Sequence, residues 1–345
     1  MRHKTYPLHI VTEALTLYNL GYTREETAAK LKSKTGRAVA VSTIDTWITD
    51  NAAVISFRRW RRKSRALFPP YAVVRSIKLY HRQIYGYAFH RAKLAFLRAG
   101  LLDDKRASAP ANAPLRQQSS ARFAALADFL EAVPRICPHD LFRDEPPHAM
   151  AKTPNGGGAQ NSTTSRASQS KFVWADIRSV IVNTKSNMAT QAAALIIPAT
   201  GDNKLRHERL QRFMLANDSV TLAMEVPLWL TEPDIAALER QHKLELIPRQ
   251  YDESGTPIPR LVTGHMDFLQ VRNGAVHILD YKPDARTNKP VAQLTLYALA
   301  LTRLVPGLPL FDIKCAWFNE EEYNEFFPRT LIAAARKKTS AALID

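Results

Sequence analysis

Two strand-like segments on either side of an Asn-Gly pair constrain this chain more than any other sequence feature. Residues 264–271 and 276–282 alternate between apolar and polar side chains, as strands do. Asn273-Gly274, which lies between them, is a preferred pair for a type I′ hairpin turn. Because a two-residue turn fixes the pairing of the strands, Asp267 is expected directly opposite Asp280.

The same register predicts four cross-strand pairs on one face of the hairpin. They are His265 with Lys282, Asp267 with Asp280, Leu269 with Ile278, and Val271 with Val276. The half near the turn is apolar, whereas the open end carries two carboxylates and a lysine. Carboxylates placed directly opposite each other repel, and a cation between them relieves the repulsion. Hard oxygen ligands suit Mg²⁺ or Mn²⁺, and Lys282 would position a water molecule beside the ion. An ordinary Asp–Lys surface pair at the end of a hairpin is the alternative.

The segments around the hairpin predict two helices and two further strands. Residues 204–215 favour a helix that bears His207 and Glu208, and residues 220–230 favour a strand in which Glu225 is the only charge. Residues 290–304 favour a helix, with Gln293 and Tyr297 one turn apart. Residues 311–318 favour a strand that this helix would carry to a parallel position.

This arrangement resembles the RecB-like branch of the PD-(D/E)XK nuclease superfamily, which includes the CRISPR adaptation nucleases. The resemblance covers about residues 200–320. The matching motifs, in chain order, are His207, Glu225-Val226-Pro227, Gly264-His265-Met266-Asp267, Asp280-Tyr281-Lys282 and Gln293-Leu294-Thr295-Leu296-Tyr297. The implied core is a helix, a three-stranded antiparallel meander, a second helix and a parallel strand.

The resemblance also implies residue roles. Asp267, Asp280 and the Tyr281 carbonyl would bind Mg²⁺ or Mn²⁺, with His207 preferred over Glu208 as a further ligand. Lys282 would position the water, and Glu225 would bind a second metal ion or assist. Gln293 and Tyr297 would hold the DNA strand or Lys282. Only Cys137 and Cys315 occur in the chain, so the four-cysteine iron–sulfur cluster of many relatives is not expected. Residues 231–262 are expected to be a substrate-shaping insertion.

Charge is distributed very unevenly along the chain. Residues 1–100 contain 19 basic and 5 acidic residues, a net charge of +14, whereas the remaining residues contain 29 basic and 27 acidic residues, a net charge of +2. Such an asymmetry is typical of a polyanion-binding region joined to a nearly neutral domain. Double-stranded DNA is therefore the expected partner, with a merely well-solvated basic surface as the alternative.

The first 50 residues predict three short helices. His9–Leu20 forms the first, Thr23 and Glu26 form a capping box that starts the second, and Ser42 opens the third. This pattern resembles the helix-turn-helix of transposases and homeodomain-like regulators. In that motif the last helix enters the major groove, so the expected DNA-facing residues are Thr43, Asp45, Thr46 and Thr49. A helical bundle without a ligand is the alternative.

A basic segment follows these helices. The residues expected to contact DNA phosphates are Arg58, Arg59, Arg61, Arg62, Lys63 and Arg65, with Trp60 stacking on a base or anchoring the segment. A nuclear-localisation signal would use the same residues. Residues 71–102, rich in aromatic and basic side chains, are expected to be helical.

The predicted organisation is an α/β (α+β) restriction-endonuclease-like core preceded by an all-α DNA-binding region. The expected segments are a helix-turn-helix with its basic segment (1–65), a basic aromatic helical region (66–102), a linker with a short helix (103–142), a disordered linker (143–170) and the nuclease domain (171–345). No apolar run is long enough to cross a membrane, and a cytoplasmic location, or a nuclear one in a eukaryote, is expected.

The function predicted from these features is metal-dependent hydrolysis of DNA phosphodiester bonds, targeted by the N-terminal helices. A recognition module joined to a cutting domain is typical of a mobile element, a phage or a defence system, with partner proteins in such a complex. A DNA-binding regulator with a non-catalytic nuclease-like scaffold and an RNA-processing nuclease are the alternatives.

Overall fold

The computed structural model describes residues 6–102, 122–143, 163–167, 182–185 and 187–341. It shows a mixed α/β protein in which helices pack on a large, mostly antiparallel sheet. The combination of helices and sheet predicted from the sequence is thereby confirmed. Across the described ranges, no helix has both the length and the apolar character needed to cross a membrane.

The N-terminal region folds into short helices whose ends follow the capping signals. Helices α1 to α4 span Leu8–Leu20, Arg24–Thr35, Val41–Asp50 and Arg61–Leu67. Thr23 and Glu26 form the reciprocal capping box, because each side chain accepts a hydrogen bond from the other residue's backbone N–H. Gly21 ends α1 with a φ of 115°, a conformation that glycine adopts without strain. The three predicted helices are therefore confirmed.

The prediction of a helical stretch over residues 71–102 is wrong for most of its length. Strands β1 (Val74–Tyr80) and β2 (Ile84–His90) form an antiparallel hairpin, and α5 (Arg91–Arg98) is the one α-helix of this stretch. Tyr85, Tyr87 and Phe89 recur at intervals of two, the period of a strand. Strand β2 also pairs with a strand that lies more than 100 residues later in the chain. Local sequence patterns do not reveal such a distant pairing.

The region between these elements and the C-terminal half is described only in part. Helix α6 spans Ala124–Ile136, close to the short helix expected there, while residues 103–121 lie outside the described ranges. Strand β3 (Thr163–Arg166) pairs in the sheet, so the expectation of disorder over 143–170 is wrong at these residues. Residues 144–162 and 168–170 of that predicted linker lie outside the described ranges.

The C-terminal half supplies the remaining elements, and the helices and strands predicted around the hairpin are present within about two residues. Strand β4 spans Asn183–Lys185, followed by helices α7 (Met188–Ile196) and α8 (Asn203–Asn217). Strand β5 is Thr221–Leu230, α9 is Glu232–His242, and β6 to β9 are Gln250–Tyr251, Pro257–Ile258, Arg260–Arg272 and Ala275–Tyr281. Helix α10 is Val291–Leu304, β10 is Ile313–Phe318, β11 is Tyr323–Phe326 and α11 is Pro328–Ala341.

The main sheet has the strand order β1-β2-β5-β8-β9-β10-β11-β4, with β3 pairing to β8 off this path. Strands β5, β8 and β9 form an antiparallel series in the middle of the sheet. Helix α10 then connects β9 to β10, which runs parallel to β9. The hairpin β1–β2 therefore extends the same sheet that carries the predicted nuclease residues.

Both faces of the sheet are covered by helices. One hydrophobic cluster joins the sheet to α5, α6 and α10. The other joins α1, α2 and α3 to α7, α8 and the opposite face of β8 and β9. Because the N-terminal helices share a core with the sheet, the boundary expected within 143–170 does not separate two hydrophobic cores.

A buried lysine links the N-terminal region to the C-terminal half. Lys93 on α5 has no solvent exposure. Its ammonium group donates to the backbone carbonyl oxygens of Leu215, Asp218 and Thr221, at the end of α8 and the beginning of β5. Three acceptors match the three N–H groups of an ammonium ion, so its buried donors are satisfied.

Candidate functional site

The hairpin β8–β9 has the register that the Asn-Gly turn predicts. Leu269 pairs with Ile278 and Val271 pairs with Val276, as expected. Asn273 and Gly274 have φ values of 51° and 69°, the left-handed conformations that a type I′ turn requires. Continuing the register by one pair beyond Phe268 and Leu279 places Asp267 opposite Asp280. At that point the Tyr281 N–H donates a hydrogen bond to Asp267 Oδ2 at 2.9 Å. The Asp267 carboxylate therefore also links the two strands at the end of their backbone hydrogen bonds.

Strand β5 adds a third carboxylate in line with these two. Met224 pairs with Phe268 and Val226 pairs with Met266, so Glu225 lies between them, opposite Asp267. Glu225 has a φ of 51°, a strained backbone conformation for a non-glycine residue inside a strand. We call Glu225, Asp267 and Asp280 the acid row, because they lie side by side on three adjacent strands.

Helix α8 directs a histidine at the centre of the acid row. His207 Nε2 lies 2.8 Å from Asp267 Oδ2. One turn later, Gln211 Nε2 donates to Glu225 Oε1 at 2.6 Å, so two side chains of one helical face hold two of the acids. Glu208 is exposed and its carboxylate lies 3.6 Å from Arg212, which places it outside this contact. Of the two candidates on this helix, His207 is the one that reaches the acid row.

The lysine and tyrosine after Asp280 point in different directions. Lys282 Nζ lies 2.9 Å from Asp280 Oδ2, on the face of the acid row. The Tyr281 side chain instead belongs to the hydrophobic cluster of the opposite face, and its hydroxyl donates to Glu320 at 3.0 Å. Coordination of a metal ion by the Tyr281 carbonyl stays a prediction.

Helix α10 brings Gln293 and Tyr297 to the same cleft. Gln293 Nε2 donates to the Tyr297 hydroxyl at 3.0 Å. The tyrosine ring lies against Gly264, where an added Cβ atom would be only 2.4 Å from Tyr297 Cε1. The glycine of the Gly264–Asp267 motif is therefore required for the close approach of this ring.

Charges in the acid row depend strongly on one another. Burial disfavours the charged form of His207, yet the nearby Asp267 carboxylate outweighs it and raises the pKa of His207 to about 9. Burial and the negative charge of Asp267 raise the pKa of Glu225 to about 7. Burial and Asp267 likewise raise the pKa of Asp280 well above its usual range. Asp267 is the ionised member, because His207 outweighs burial and lowers its pKa.

The acid row fits a divalent cation on its donor chemistry. Ligand atoms of His207, Glu225 and Asp267 lie within 4.8 Å of one another. Asp280 Oδ2 is buried and, apart from its ion pair with Lys282, has no hydrogen-bond partner among the described residues. Carboxylate oxygens with one imidazole nitrogen suit Mg²⁺ or Mn²⁺, and the imidazole favours the transition metal.

Comparison of the chain with protein-family models, curated proteins and solved structures gave no match. The site consists of a row of three carboxylates, a lysine beside one end and a histidine above the centre, all facing one cleft.

The cleft over the acid row has a volume of about 760 Å³. The β1–β2 hairpin, which the sequence did not predict, forms one wall with Lys78, Arg82 and Tyr85. Helix α8 contributes Gln211 and Arg212 to the lining. Gln211 could have been predicted from the sequence, because it lies four residues after His207 and therefore on the same helical face. The hairpin residues could not have been predicted, because β2 reaches the site only through pairing with β5.

The predicted DNA-contacting residues of the N-terminal region divide into two groups. Arg58, Arg59, Arg62, Lys63 and Arg65 are exposed, as are Thr46 and Thr49 on α3, while Thr43 is half-buried. Trp60 is buried against Phe96, as expected if it anchors the basic segment and does not stack on a base. Arg61 is half-buried and donates to the backbone carbonyl oxygens of Tyr18 and Gly21, so its guanidinium is engaged at the turn after α1. The structure therefore favours an anchoring role for Trp60 and contacts within the protein for Arg61, in place of the predicted DNA contacts.

Proposed function

We propose that this protein is a metal-dependent nuclease of the PD-(D/E)XK type that hydrolyses DNA phosphodiester bonds. The observation that carries the proposal is the acid row with Lys282 at one end, in a cleft whose other wall is basic. The antiparallel series β5-β8-β9, followed by α10 and the parallel strand β10, supports the same assignment, because it is the element order that the resemblance implies.

The residues that would hold Mg²⁺ or Mn²⁺ are His207, Glu225, Asp267 and Asp280. When bound, such an ion neutralises phosphate charge and makes water a stronger nucleophile at neutral pH. Protons bound to these groups would be released on binding, because ligands must be deprotonated. The presence of an imidazole among the donors leads us to expect stronger binding of Mn²⁺ than of Mg²⁺.

The remaining residues of the cleft would act on water and substrate. The Lys282 ammonium, held by Asp280, would orient the attacking water and offset negative charge as it develops on the phosphate. Gln293 and Tyr297 would position the strand from α10, since they line the cleft and hold each other. Lys78 and Arg82 would contact neighbouring phosphates from the opposite wall.

Delivery to DNA would come from the exposed basic residues of the N-terminal region. Arg58, Arg62, Lys63 and Arg65 lie on the surface, and Thr46 and Thr49 face outward from α3, as a recognition helix requires. Since α1 to α3 share a core with the sheet, recognition and cleavage would occur at a fixed separation on the DNA. A role in a mobile element, phage or defence system is consistent with such a combination.

The proposal is tested by incubating the protein with closed circular and linear DNA, single-stranded and double-stranded, and with RNA of the same sequence. Each substrate is combined with Mg²⁺, Mn²⁺ or EDTA. We expect cleavage of double-stranded DNA with Mn²⁺ or Mg²⁺ and none with EDTA. Cleavage of RNA alone would support the RNA-processing alternative, and no cleavage of any substrate with either metal would overturn the proposal in favour of a regulator.

Matched variants distinguish cleavage at the acid row from cleavage by a contaminating nuclease. Glu225→Gln and Glu208→Gln each replace one glutamate by its amide, but only Glu225 belongs to the acid row. We expect Glu225→Gln to lose most of the activity and Glu208→Gln to retain it. Equal activity in the two variants would show that the cleavage does not arise at this site.

A further inference from the structure

A second cluster of metal-binding residues lies beside the cleft, and the proposed nuclease function does not use it. His81 is in the turn between β1 and β2, while Cys137 and His139 follow the end of α6. Ligand atoms of these three residues lie within 4.8 Å of one another. His81 Nε2 is 3.0 Å from His139 Nδ1 and 3.9 Å from Cys137 Sγ.

These separations suit a tetrahedral zinc ion. Zn–N bonds of about 2.0–2.1 Å and Zn–S bonds of about 2.3 Å place two ligand nitrogens about 3.3 Å apart and a nitrogen and a sulfur about 3.6 Å apart. The observed N–N distance of 3.0 Å and N–S distance of 3.9 Å each lie within about 0.3 Å of these values. A thiolate with two imidazoles is also a softer donor set than the acid row, and soft donors favour zinc over Mg²⁺.

Two of the three residues are buried, and the cluster is held in place by its neighbours. Cys137 is 6% exposed and His81 is 9% exposed. The Cys137 carbonyl oxygen accepts a hydrogen bond from the His139 N–H at 2.9 Å, which folds the Cys137-Pro138-His139 segment into a turn with both side chains near His81. The His81 ring stacks on Phe142 with centroids 4.1 Å apart.

The second ring nitrogen of His81 is also engaged. His81 Nδ1 lies 2.8 Å from His265 Nε2, and the His265 ring stacks on Tyr85. A histidine that binds metal through one nitrogen usually hydrogen-bonds through the other, which fixes its tautomer and orientation. His265 supplies that partner, two residues before Asp267 on β8.

We propose that His81, Cys137 and His139 bind a zinc ion that fixes the β1–β2 hairpin against the segment following α6. On binding, the Cys137 thiol loses its proton to solvent and the sulfur becomes a thiolate ligand. Three protein ligands leave one coordination position for water. Bound there, the ion holds in place the wall of the cleft that carries Lys78, Arg82 and Tyr85.

The first test is the zinc content of the full-length protein after purification in the absence of chelators. We expect about one zinc ion per chain, as for other three-ligand sites. Cys137→Ser and His139→Ala are expected to lose the zinc. Cys315→Ser is the matched control, because Cys315 is also buried but donates to the Leu294 carbonyl oxygen at 3.4 Å, away from the cluster. Zinc-free wild-type protein that also takes up no added zinc overturns the proposal.

The second test does not require the Cys137 variant to fold. Titration with Co²⁺ in place of zinc is expected to give a thiolate-to-cobalt absorption band in the wild type and in Cys315→Ser. Since the chain has two cysteines, a band that survives in Cys315→Ser identifies Cys137 as the ligand. The absence of the band in the wild type overturns the proposal, because the three residues would then be a hydrogen-bonded cluster that does not bind metal.

A third variant separates this site from the acid row. His207→Ala removes a proposed ligand of the acid row and leaves the cluster intact, so we expect it to keep its zinc. Zinc that is lost in His207→Ala but kept in Cys137→Ser would place the ion at the acid row and overturn the proposal. The readout is metal content, so it does not depend on whether the protein cleaves DNA.

Discussion

The charged side chains of the acid row and those of the N-terminal basic region lie in different environments. In the acid row, charged groups are buried or half-buried and lie within hydrogen-bond or ion-pair distance of one another, as in the contacts of Asp267 with His207 and of Asp280 with Lys282. In the N-terminal region, most of the described basic side chains are exposed to solvent, and two of the less exposed ones, Arg61 and Lys93, donate to backbone carbonyl oxygens. Buried, coupled charges shift pKa values and suit bond-breaking chemistry, whereas exposed charges attract a polyanion over a distance.

This contrast predicts that changes in the acid row alter the rate of reaction and that changes in the basic region alter only affinity. The largest effect is expected for Asp280→Asn, because the amide keeps the shape but removes a charged oxygen ligand. We expect cleavage at saturating DNA to fall below detection at ordinary Mg²⁺, with DNA binding retained. Single-turnover cleavage and a DNA-binding titration measure the two quantities, and Glu208→Gln is the control. If Asp280→Asn instead weakens DNA binding and cleaves at the normal rate, the proposed difference between the acid row and the basic region is wrong.

Lys282→Ala is expected to have the next largest effect. The lysine acts on water and on developing charge, so the variant should bind metal and DNA but turn over about 10²–10⁴-fold more slowly. The loss should be in kcat without an increase in KM, since the interaction is made mainly in the transition state. Calorimetric titration with Mn²⁺ and single-turnover kinetics test both statements. A wild-type rate would mean that the lysine only balances the charge of Asp280.

Gly264→Ala tests the packing beneath the acid row. The new methyl group would lie 2.4 Å from Tyr297 Cε1, so the ring must move, and overpacking of this kind costs about 1–3 kcal/mol. Gly86→Ala is the matched control, because Gly86 is also in a strand but has open space where its Cβ would be. Urea unfolding gives both free energies of unfolding. Equal changes in the two variants would show that Tyr297 yields without cost.

The acid row also predicts that metal affinity depends on pH. Protons bound to Glu225, with a pKa of about 7, and to Asp280, with its raised pKa, compete with a metal ion, and so does the proton on His207, with a pKa of about 9. Affinity for Mn²⁺ should therefore rise from pH 6 to pH 8, by about tenfold per pH unit for each proton displaced. Calorimetry in two buffers with different heats of ionisation counts the protons. A Mn²⁺ affinity that does not change between pH 6 and pH 8 would contradict the competition between protons and the metal ion.

The smallest effect is expected for Arg62→Ala in the basic region. Loss of one phosphate contact should reduce the slope of log affinity against log salt by about 0.9 and leave the cleavage rate at saturating DNA unchanged. Arg61→Ala is the comparison, since its guanidinium bonds to backbone carbonyl oxygens. That variant should lose stability in thermal unfolding while keeping the slope. The reverse assignment would show that Arg61 is the residue facing DNA.

Sequence patterns predicted the Asp267–Asp280 pair of the acid row because its geometry is local, whereas Glu225 was implied only by the resemblance. The Asn273-Gly274 turn fixes Asp267 against Asp280 across a separation of 13 residues, and helical spacing aligns Gln293 with Tyr297. The capping box at Thr23 fixed the beginning of α2 for the same reason. Each of these signals is contained within one or two adjacent elements.

The residues that were missed depend on contacts between distant parts of the chain. His81 meets His139 and His265 across 58 and 184 residues, with no spacing pattern to link them. The strand character of β2 is completed by its pairing with β5, and Arg61 is assigned to the interior only by the carbonyl oxygens after α1. Such contacts follow from the arrangement of distant elements, which no local pattern specifies.

The backbone at Glu225 has an evolutionary consequence. A left-handed conformation at a non-glycine residue costs about 1–2 kcal/mol, and glycine at the same position would avoid most of that cost. Loss of this carboxylate would thus make the chain more stable while removing part of the acid row. Stability and activity oppose each other at this one position, so a lineage released from selection for cleavage would drift here towards a more stable and inactive protein.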